Sequence, residues 1–140
     1  MSTTLTTPGK YKLHQVLITS PSGAAIDVTR FVASLVVYES IFEKTMSGRI
    51  GLVESLNLKR HFGLSGNELV NIYFETEGFD GNGVNISLQS YKNSNVTLMN
   101  DTTTAYNVFL ESPITFHNKK NRVTESFNTN GGKIVDIIFN

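Results

Sequence analysis

The sequence lacks cysteine and tryptophan, and it has no surplus of either charge, because twelve basic and twelve acidic side chains cancel. Without cysteine, disulfide bonds and thiolate metal sites are excluded. The balanced charge removes the electrostatic basis for tight, non-specific binding to nucleic acid. No apolar run approaches the roughly 20 residues that a membrane-spanning helix needs. What remains is a chain of 140 residues, which is enough for one domain with its own hydrophobic core.

Ser, Thr, Asn and Gly fill much of a chain that is 39% apolar and 17% charged. These residues prefer turns and caps to helix interiors, so the composition favours strands over helices. Alternating apolar residues predict strands at "KYKLHQVLI", "RIGLVES", "NELVNIYFET" and "VNISLQSY", with further candidates at "NVTLM" and "AYNVFLES". We therefore expect a mainly β fold, a barrel or sandwich, with one short helix between strands and a helix at the C-terminus.

The short helix is predicted at "LNLKRHF", with Ser55 as its N-cap and Gly63 as the residue that ends it. The polar segment "PITFHNKKNRVTESF" is expected to be partly extended. Near the C-terminus, "NTNGGKIVDIIFN" predicts a cap followed by a helix with Ile134, Ile137 and Ile138 on one side. We therefore divide the chain into a flexible arm (1–9), a β domain (10–128) and the start of a helix (129–140). The helix either opens a truncated second domain or docks on a neighbour.

The strongest β pattern is "RFVASLVVYESIF", which is apolar on both faces. Strict alternation places Leu35 and Val37 on one face and Val32, Val36 and Tyr38 on the other. A strand of this kind is expected to be covered on both sides. The second cover comes either from a partner subunit or from the domain's own helix and loops.

No constellation of residues with catalytic or metal-binding spacing is present. His14, His61 and His117 do not lie at metal-ligand spacings, and there is no Gly-x-Ser-x-Gly nucleophile elbow. The glycine-rich "EGFDGNG" lacks the Lys-Ser/Thr of a phosphate loop and is predicted to be a hairpin turn. We expect no enzymatic activity, no cofactor and no bound metal.

The run "FVASLVVYESIFEKTMSGRIGLVESLNLKRHFGLSGNELVNIYF" resembles the first domain of baseplate hub proteins in contractile-tailed bacteriophages of the T-even type. The matching features are the turn at 39–42, the strand at 48–55, Asn57 in the helix, and the turn at 66–68. The strand that contains Val70, Ile72 and Phe74 follows in the same order. The later "GGKIVDII" is similar to the helix that opens the hub's second domain, so the resemblance covers roughly 28–139.

The resemblance implies a β-barrel related to tail-tube proteins, whose sheets join side by side into a ring around a lumen. In that family the hub is a trimer with two barrels per chain, and it joins a sixfold tube to a threefold spike. This chain has room for one barrel only, so a tail-tube subunit proper is the nearest alternative. The implied partners are copies of itself, the tube protein, the central spike, baseplate wedge proteins and passing DNA. The implied location is the virion tail baseplate, assembled in the host cytoplasm.

Two sets of residues are candidates for these roles. The apolar residues of the "YESIFEKTM" turn and of the terminal helix are the candidate assembly contacts: Ile41, Phe42, Met46, Ile134, Ile137, Ile138 and Phe139. The uncharged Asn85, Ser87 and Gln89 are candidates to face the lumen, unless they form an ordinary solvent face. A different class of function, a small β-sandwich that binds a carbohydrate or receptor, would use Tyr73, Phe79 and Tyr91.

Overall fold

The computed structural model describes residues 11–76, 83–94, 96–120 and 128–134. In this part of the chain eight strands form one antiparallel sheet, which curls into a half-barrel. The strands are β1 (Tyr11–Thr19), β2 (Ala25–Asp27), β3 (Val32–Tyr38), β4 (Ser47–Glu54), β5 (Leu69–Thr76), β6 (Val84–Asn93), β7 (Thr97–Leu98) and β8 (Thr104–Glu111). Their order is β2-β1-β5-β6-β8-β4-β3, and β7 pairs with β8. The predicted mainly β class is confirmed.

The helices are short. A single 3-10 turn, Thr29–Phe31, links β2 to β3, α1 (Leu58–His61) lies between β4 and β5, and α2 (Pro113–Lys120) follows β8. Residues 131–134 form one further helical turn. The segment 113–127 is expected from the sequence to be partly extended, but its first eight residues form α2, and residues 121–127 lie outside the described residues. The dipeptide Ser112-Pro113 was the missed signal, because proline at the first helical position has its φ angle set for a helix.

The concave face of the sheet holds the core. Ten of its buried side chains come in pairs from five strands: Val16 and Ile18, Ile50 and Leu52, Val70 and Ile72, Ile86 and Leu88, Val108 and Leu110. Each contributes about 1.5–3 kcal/mol by leaving water. Leu58 of α1 and Leu64 in the following loop are also buried in this cluster. The sequence predicts that Ile50 and Leu52 of β4 point inward, that Val70, Ile72 and Phe74 of β5 share one face, and that Val84, Ile86 and Leu88 of β6 alternate with polar residues. All of these side chains except Val84, which is 40% exposed, are buried in the core cluster or pack against it.

Two irregularities in the ladder explain where simple alternation fails. The register shifts between Leu13 and Gln15 in β1, and between Val32 and Ser34 in β3. Each shift moves the residue before it to the concave face, so Leu13 and Val32 pack against the core. The predicted grouping of Val32 with Val36 is wrong for this reason.

The entry into α1 also differs from the prediction. Asn57, not Ser55, is the N-cap, and it adopts a left-handed conformation with φ +51°. The buried Glu54 carboxylate accepts hydrogen bonds from the backbone N–H of Leu56 (2.6 Å) and of Leu58 (3.0 Å). Glu54 therefore satisfies the donors that a capping side chain usually satisfies. Gly63, at φ +74°, follows the helix as predicted.

Candidate assembly surface

The turn between β3 and β4, residues 39–46, presents two large apolar side chains to solvent. Ile41 is 93% exposed and Phe42 is 89% exposed. The Ser40 hydroxyl accepts a hydrogen bond from the Phe42 N–H (3.2 Å), and the Ser40 carbonyl accepts one from Glu43 (3.2 Å). The turn is thus held by its own local hydrogen bonds, while no described residue covers its apolar tip. Contiguous exposed apolar surface is a feature of protein interaction sites, so this tip is a candidate contact.

The base of the 39–46 turn is anchored to the rest of the domain. Met46 packs against the core, so of the three predicted contacts in this turn it has the least surface to offer. Its carbonyl accepts a hydrogen bond from the Ser112 N–H (3.0 Å), and the Thr45 and Thr115 hydroxyls bond to each other at 2.7 Å. These contacts tie the turn to the start of α2 and fix the direction in which the tip projects.

The strand that leads into this turn, β3, is one edge of the sheet. It spans seven residues, whereas the other edge strand, β2, spans three. Tyr38, at the end of β3, is 56% exposed, and Val36 lies half-buried on the convex face. An edge strand of this length leaves backbone groups free to pair with another chain. The sequence predicts that both faces of β3 are covered, but the described residues leave its convex face partly exposed at Val36 and Tyr38.

The convex side of β5 and β6 carries a strip of uncharged polar side chains. Asn85 and Ser87 are exposed, and Gln89 is half-buried beside them. Ser87 donates a hydrogen bond to the Asn71 amide oxygen (2.5 Å), and the Gln89 amide donates one to Asn67 (2.6 Å). The three candidate lumen residues thus share one face, as their spacing predicts. Whether this face lines a lumen stays a prediction.

A small ionic cluster lies at the end of this strip. His14 Nε2 is 2.9 Å from the Glu75 carboxylate, and the Tyr73 hydroxyl donates a hydrogen bond to the same group at 3.3 Å. The nearby His14 imidazole is the main reason that the pKa of Glu75 is lowered. The His14 and Tyr73 rings lie 5.0 Å apart. The cluster orients Tyr73 along the sheet surface.

The aromatic residues of the alternative carbohydrate site do not converge. Tyr73 pairs across the ladder with Asn85, whereas Tyr91 lies six residues further along β6, about 20 Å away. The Tyr91 ring contacts Phe109 instead, with 6.3 Å between ring centres. Phe79 lies outside the described residues. The arrangement does not favour a stacking site for a sugar.

Sequence reasoning missed a cavity at the far end of β4. The Tyr106 cavity, as we call it, has a volume of about 600 Å³. Eleven residues line it: Glu54, Ser55, Asn57, Lys59, Arg60, Val96, Leu98, Asp101, Thr102, Thr104 and Tyr106. Burial, together with the nearby Glu54 carboxylate, raises the pKa of the Tyr106 hydroxyl, which therefore stays protonated. No local pattern could reveal this cavity, because its walls come from two segments about 40 residues apart.

The terminal segment agrees with its prediction as far as it is described. Asn130 accepts a hydrogen bond from the Lys133 N–H through its side chain (3.1 Å), and its carbonyl accepts one from Ile134 (3.2 Å). Asn130 therefore caps the helical turn at 131–134. Ile134 is half-buried. The other three predicted contacts, Ile137, Ile138 and Phe139, lie outside the described residues.

Within the described ranges, no group of three or more His, Asp or Glu side chains is arranged to hold a metal ion. Among the helices in the same part of the chain, none has both the length and the apolar character needed to span a bilayer.

Solved structures that share this fold include the Francisella PdpA–VgrG complex in a half-lidded and in a lidded form. The TM-scores are 0.60 and 0.58, at 12% and 14% sequence identity. Each match covers 94% of this chain but 22% and 20% of the other, so this chain spans about a fifth of the chains it matches. No protein-family model and no curated protein sequence matches. The likeness shows a shared fold and does not single out a T-even baseplate hub.

Proposed function

We propose that this chain is a structural subunit of a phage-tail-like assembly, specifically a baseplate hub or hub-like adaptor. In this proposal several copies form a ring that joins the tail tube to the central spike, contacts the wedge proteins, and leaves a lumen for DNA. The subunit has no catalytic role and no cofactor. Its place is the tail baseplate of a virion, with assembly in the host cytoplasm.

The observation that carries this proposal is the exposed apolar tip of the 39–46 turn, on a domain whose fold is similar to part of the PdpA–VgrG structures. Ile41 and Phe42 are adjacent, large and about 90% exposed on a turn whose base is fixed, so together they form an apolar surface that a neighbouring subunit could cover. Burial of these two side chains against a neighbour would contribute about 1.5–3 kcal/mol each. A neighbour that pairs with β3 would also satisfy the free backbone groups of that edge. Closed rings remove such edges for every copy.

The polar strip of Asn85, Ser87 and Gln89 is consistent with the part of the proposal that concerns a lumen for DNA. DNA that passes through a channel must not be held, so fixed positive charge on the wall would be unfavourable. Asn85, Ser87 and Gln89 offer amide and hydroxyl groups, and two of them are already hydrogen-bonded to protein neighbours. This strip would therefore line the lumen without strong attraction to phosphate.

The test is the mass of the purified chain in solution, measured by light scattering over a range of concentrations. We expect a closed trimer for a hub and a closed hexamer for a tube subunit, each with a central hole in electron micrographs. Phe42→Glu should lower the assembled fraction. Val84→Glu, at a 40% exposed position on β6, is the matched control and should not.

Both variants should keep the melting temperature of the parent chain, because exposed substitutions usually change stability by under about 0.5 kcal/mol. A chain that stays monomeric at every concentration would contradict the proposal. Full assembly of Phe42→Glu would show that the 39–46 turn is not the contact.

A further inference from the structure

The 39–46 turn and the Tyr106 cavity lie at opposite ends of the same strand. The turn runs directly into Ser47, where β4 begins, and the cavity opens at Glu54, where β4 ends. Eight residues of extended strand separate the two by roughly 23 Å, at about 3.3 Å per residue. The turn of one chain is therefore held away from its own cavity, so that only another copy could bring a turn to it.

The tip of the turn has a specific chemistry, which is apolar with acidic flanks. Ile41 and Phe42 are the apolar pair, and the exposed carboxylates of Glu39 and Glu43 stand on either side of them. Lys44 follows as a single cation. A surface that receives this tip must offer apolar walls and a rim with more positive than negative charge.

The Tyr106 cavity offers those walls and that rim. Val96 and Leu98, which are 37% and 69% exposed, provide apolar surface at its mouth. Lys59 and Arg60 are both exposed and line it from the last turn of α1. Asp101 is its one exposed acid among the described residues and would oppose Lys44 of the turn. The volume of about 600 Å³ lies within the ~300–1,000 Å³ of pockets that bury ligands.

The buried acid of the cavity does not cancel this attraction. The Glu54 carboxylate already accepts hydrogen bonds from two backbone N–H groups, and the Thr104 hydroxyl lies 3.4 Å away. The backbone dipoles therefore compensate the negative charge of Glu54. Among the described residues, neither Lys59 nor Arg60 forms an ion pair with an acidic side chain. The two cations set the sign of the rim.

We propose that the 39–46 turn of one copy docks into the Tyr106 cavity of the next copy. This inference rests on the proposed function and names the surface that receives the turn. Because turn and cavity are different surfaces, the contact is heterologous, head to tail, and it repeats around a ring or along a stack. Each copy then offers one turn and one cavity. In a closed ring every turn is docked and every cavity is filled.

The absence of cysteine makes a direct test possible. Phe42→Cys and Leu98→Cys are prepared separately, mixed, and oxidised under mild conditions at a concentration where the chain self-associates. We expect a cross-linked heterodimer from the mixture and no cross-linked dimer from Phe42→Cys alone. Val84→Cys mixed with Leu98→Cys is the matched control and should not cross-link, since Val84 lies on a different part of the sheet.

Charge reversal gives an independent readout. Glu39→Lys with Glu43→Lys, and separately Lys59→Glu with Arg60→Glu, should each weaken self-association by about tenfold, which corresponds to ~1.4 kcal/mol. The two sets carried on one chain should restore much of it, because the signs on both surfaces are then reversed together. All four side chains are exposed, so these variants are expected to fold.

The outcomes separate this inference from the proposed function. If the chain self-associates but gives no cross-link between positions 42 and 98, or no rescue by the combined charge reversal, the head-to-tail contact is overturned. The proposed ring is not affected by that result. A cross-link from Phe42→Cys alone shows that turn meets turn, and it also overturns the contact. A chain that neither self-associates nor cross-links at any concentration overturns both.

Discussion

The Ser90 hydroxyl donates a hydrogen bond to the Glu68 carboxylate, and both side chains are fully buried. The same hydroxyl accepts a hydrogen bond from the Glu68 N–H (3.1 Å). The carboxylate also accepts hydrogen bonds from the N–H groups of Ser65 (2.6 Å) and Gly66 (3.1 Å). One ionised group thus holds the loop between α1 and β5 against β6. This loop sets where α1 lies, and α1 carries the cations of the Tyr106 cavity.

Loss of the Ser90 hydroxyl should destabilise the fold. Ser90→Ala removes one donor from a buried carboxylate, and a buried charge that loses a partner costs about 1–3 kcal/mol. Ser87→Ala is the matched control, because Ser87 lies on the same strand but is exposed. We expect the control to change the free energy of unfolding by less than about 0.5 kcal/mol. Urea denaturation measures both, and equal effects would mean that the Glu68 network contributes little.

Stability should fall with acid because of Glu68. Burial by itself would raise the pKa of this carboxyl, but hydrogen bonds from Ser90 and Ser65 outweigh it and lower the pKa below its usual 4.5. The folded state therefore binds this proton less readily than the unfolded state. The contribution is complete above the unfolded pKa and is lost as the pH falls through the folded pKa.

The control for this pH dependence is Glu68→Gln, which has no titrating group at that position. Urea denaturation of both chains between pH 6 and pH 3 should show the stability difference between them narrowing as the pH falls. A difference that stays constant over this range would mean that the Glu68 pKa does not change on folding.

The sequence predicted the parts of this fold that depend on local patterns. Strand alternation identified the inward side chains of β4, such as Ile50 and Leu52, and glycine chemistry identified the end of α1 at Gly63. It misplaced Val32, because a bulge depends on the neighbouring strand and not on the residues themselves. It also missed that Glu54 accepts hydrogen bonds at the start of α1, because a carboxylate four residues before Leu58 lies outside the usual capping pattern.

In the candidate site, too, the features that depend on local sequence could be predicted and those that depend on distant residues could not. Ile41 and Phe42 could be selected from the sequence, because a polar turn between two strands rarely carries a large apolar pair at its tip. The Tyr106 cavity could not, since Lys59 and Leu98 are distant along the chain. They come together only after β4 pairs with β8 and places Glu54 opposite Thr104.

Substitution of two glycines by alanine should have different effects, because the added methyl group would meet backbone at Gly48 and a side chain at Gly83. A Cβ atom at Gly48 would lie 3.0 Å from the Val36 carbonyl oxygen and 3.3 Å from Leu88 Cδ1, both in packed surroundings. A Cβ atom at Gly83 would lie 2.2 Å from the Tyr73 ring, but that ring is 36% exposed and can move away at the cost of its long, 3.3 Å hydrogen bond to Glu75. Gly48→Ala must instead move the backbone of β3 or the core beneath it.

We therefore expect Gly48→Ala to lower the free energy of unfolding by about 1–3 kcal/mol, as overpacked cores do. Gly83→Ala should change it by less than about 1 kcal/mol, because an alanine also restricts the unfolded chain. Urea denaturation measures the free energy of unfolding of both variants. A larger decrease for Gly83→Ala than for Gly48→Ala would contradict the prediction that the methyl group is harder to accommodate at Gly48. Because Val36 lies on the free edge strand, Gly48→Ala should also reduce self-association in light scattering, whereas Gly83→Ala should leave it unchanged.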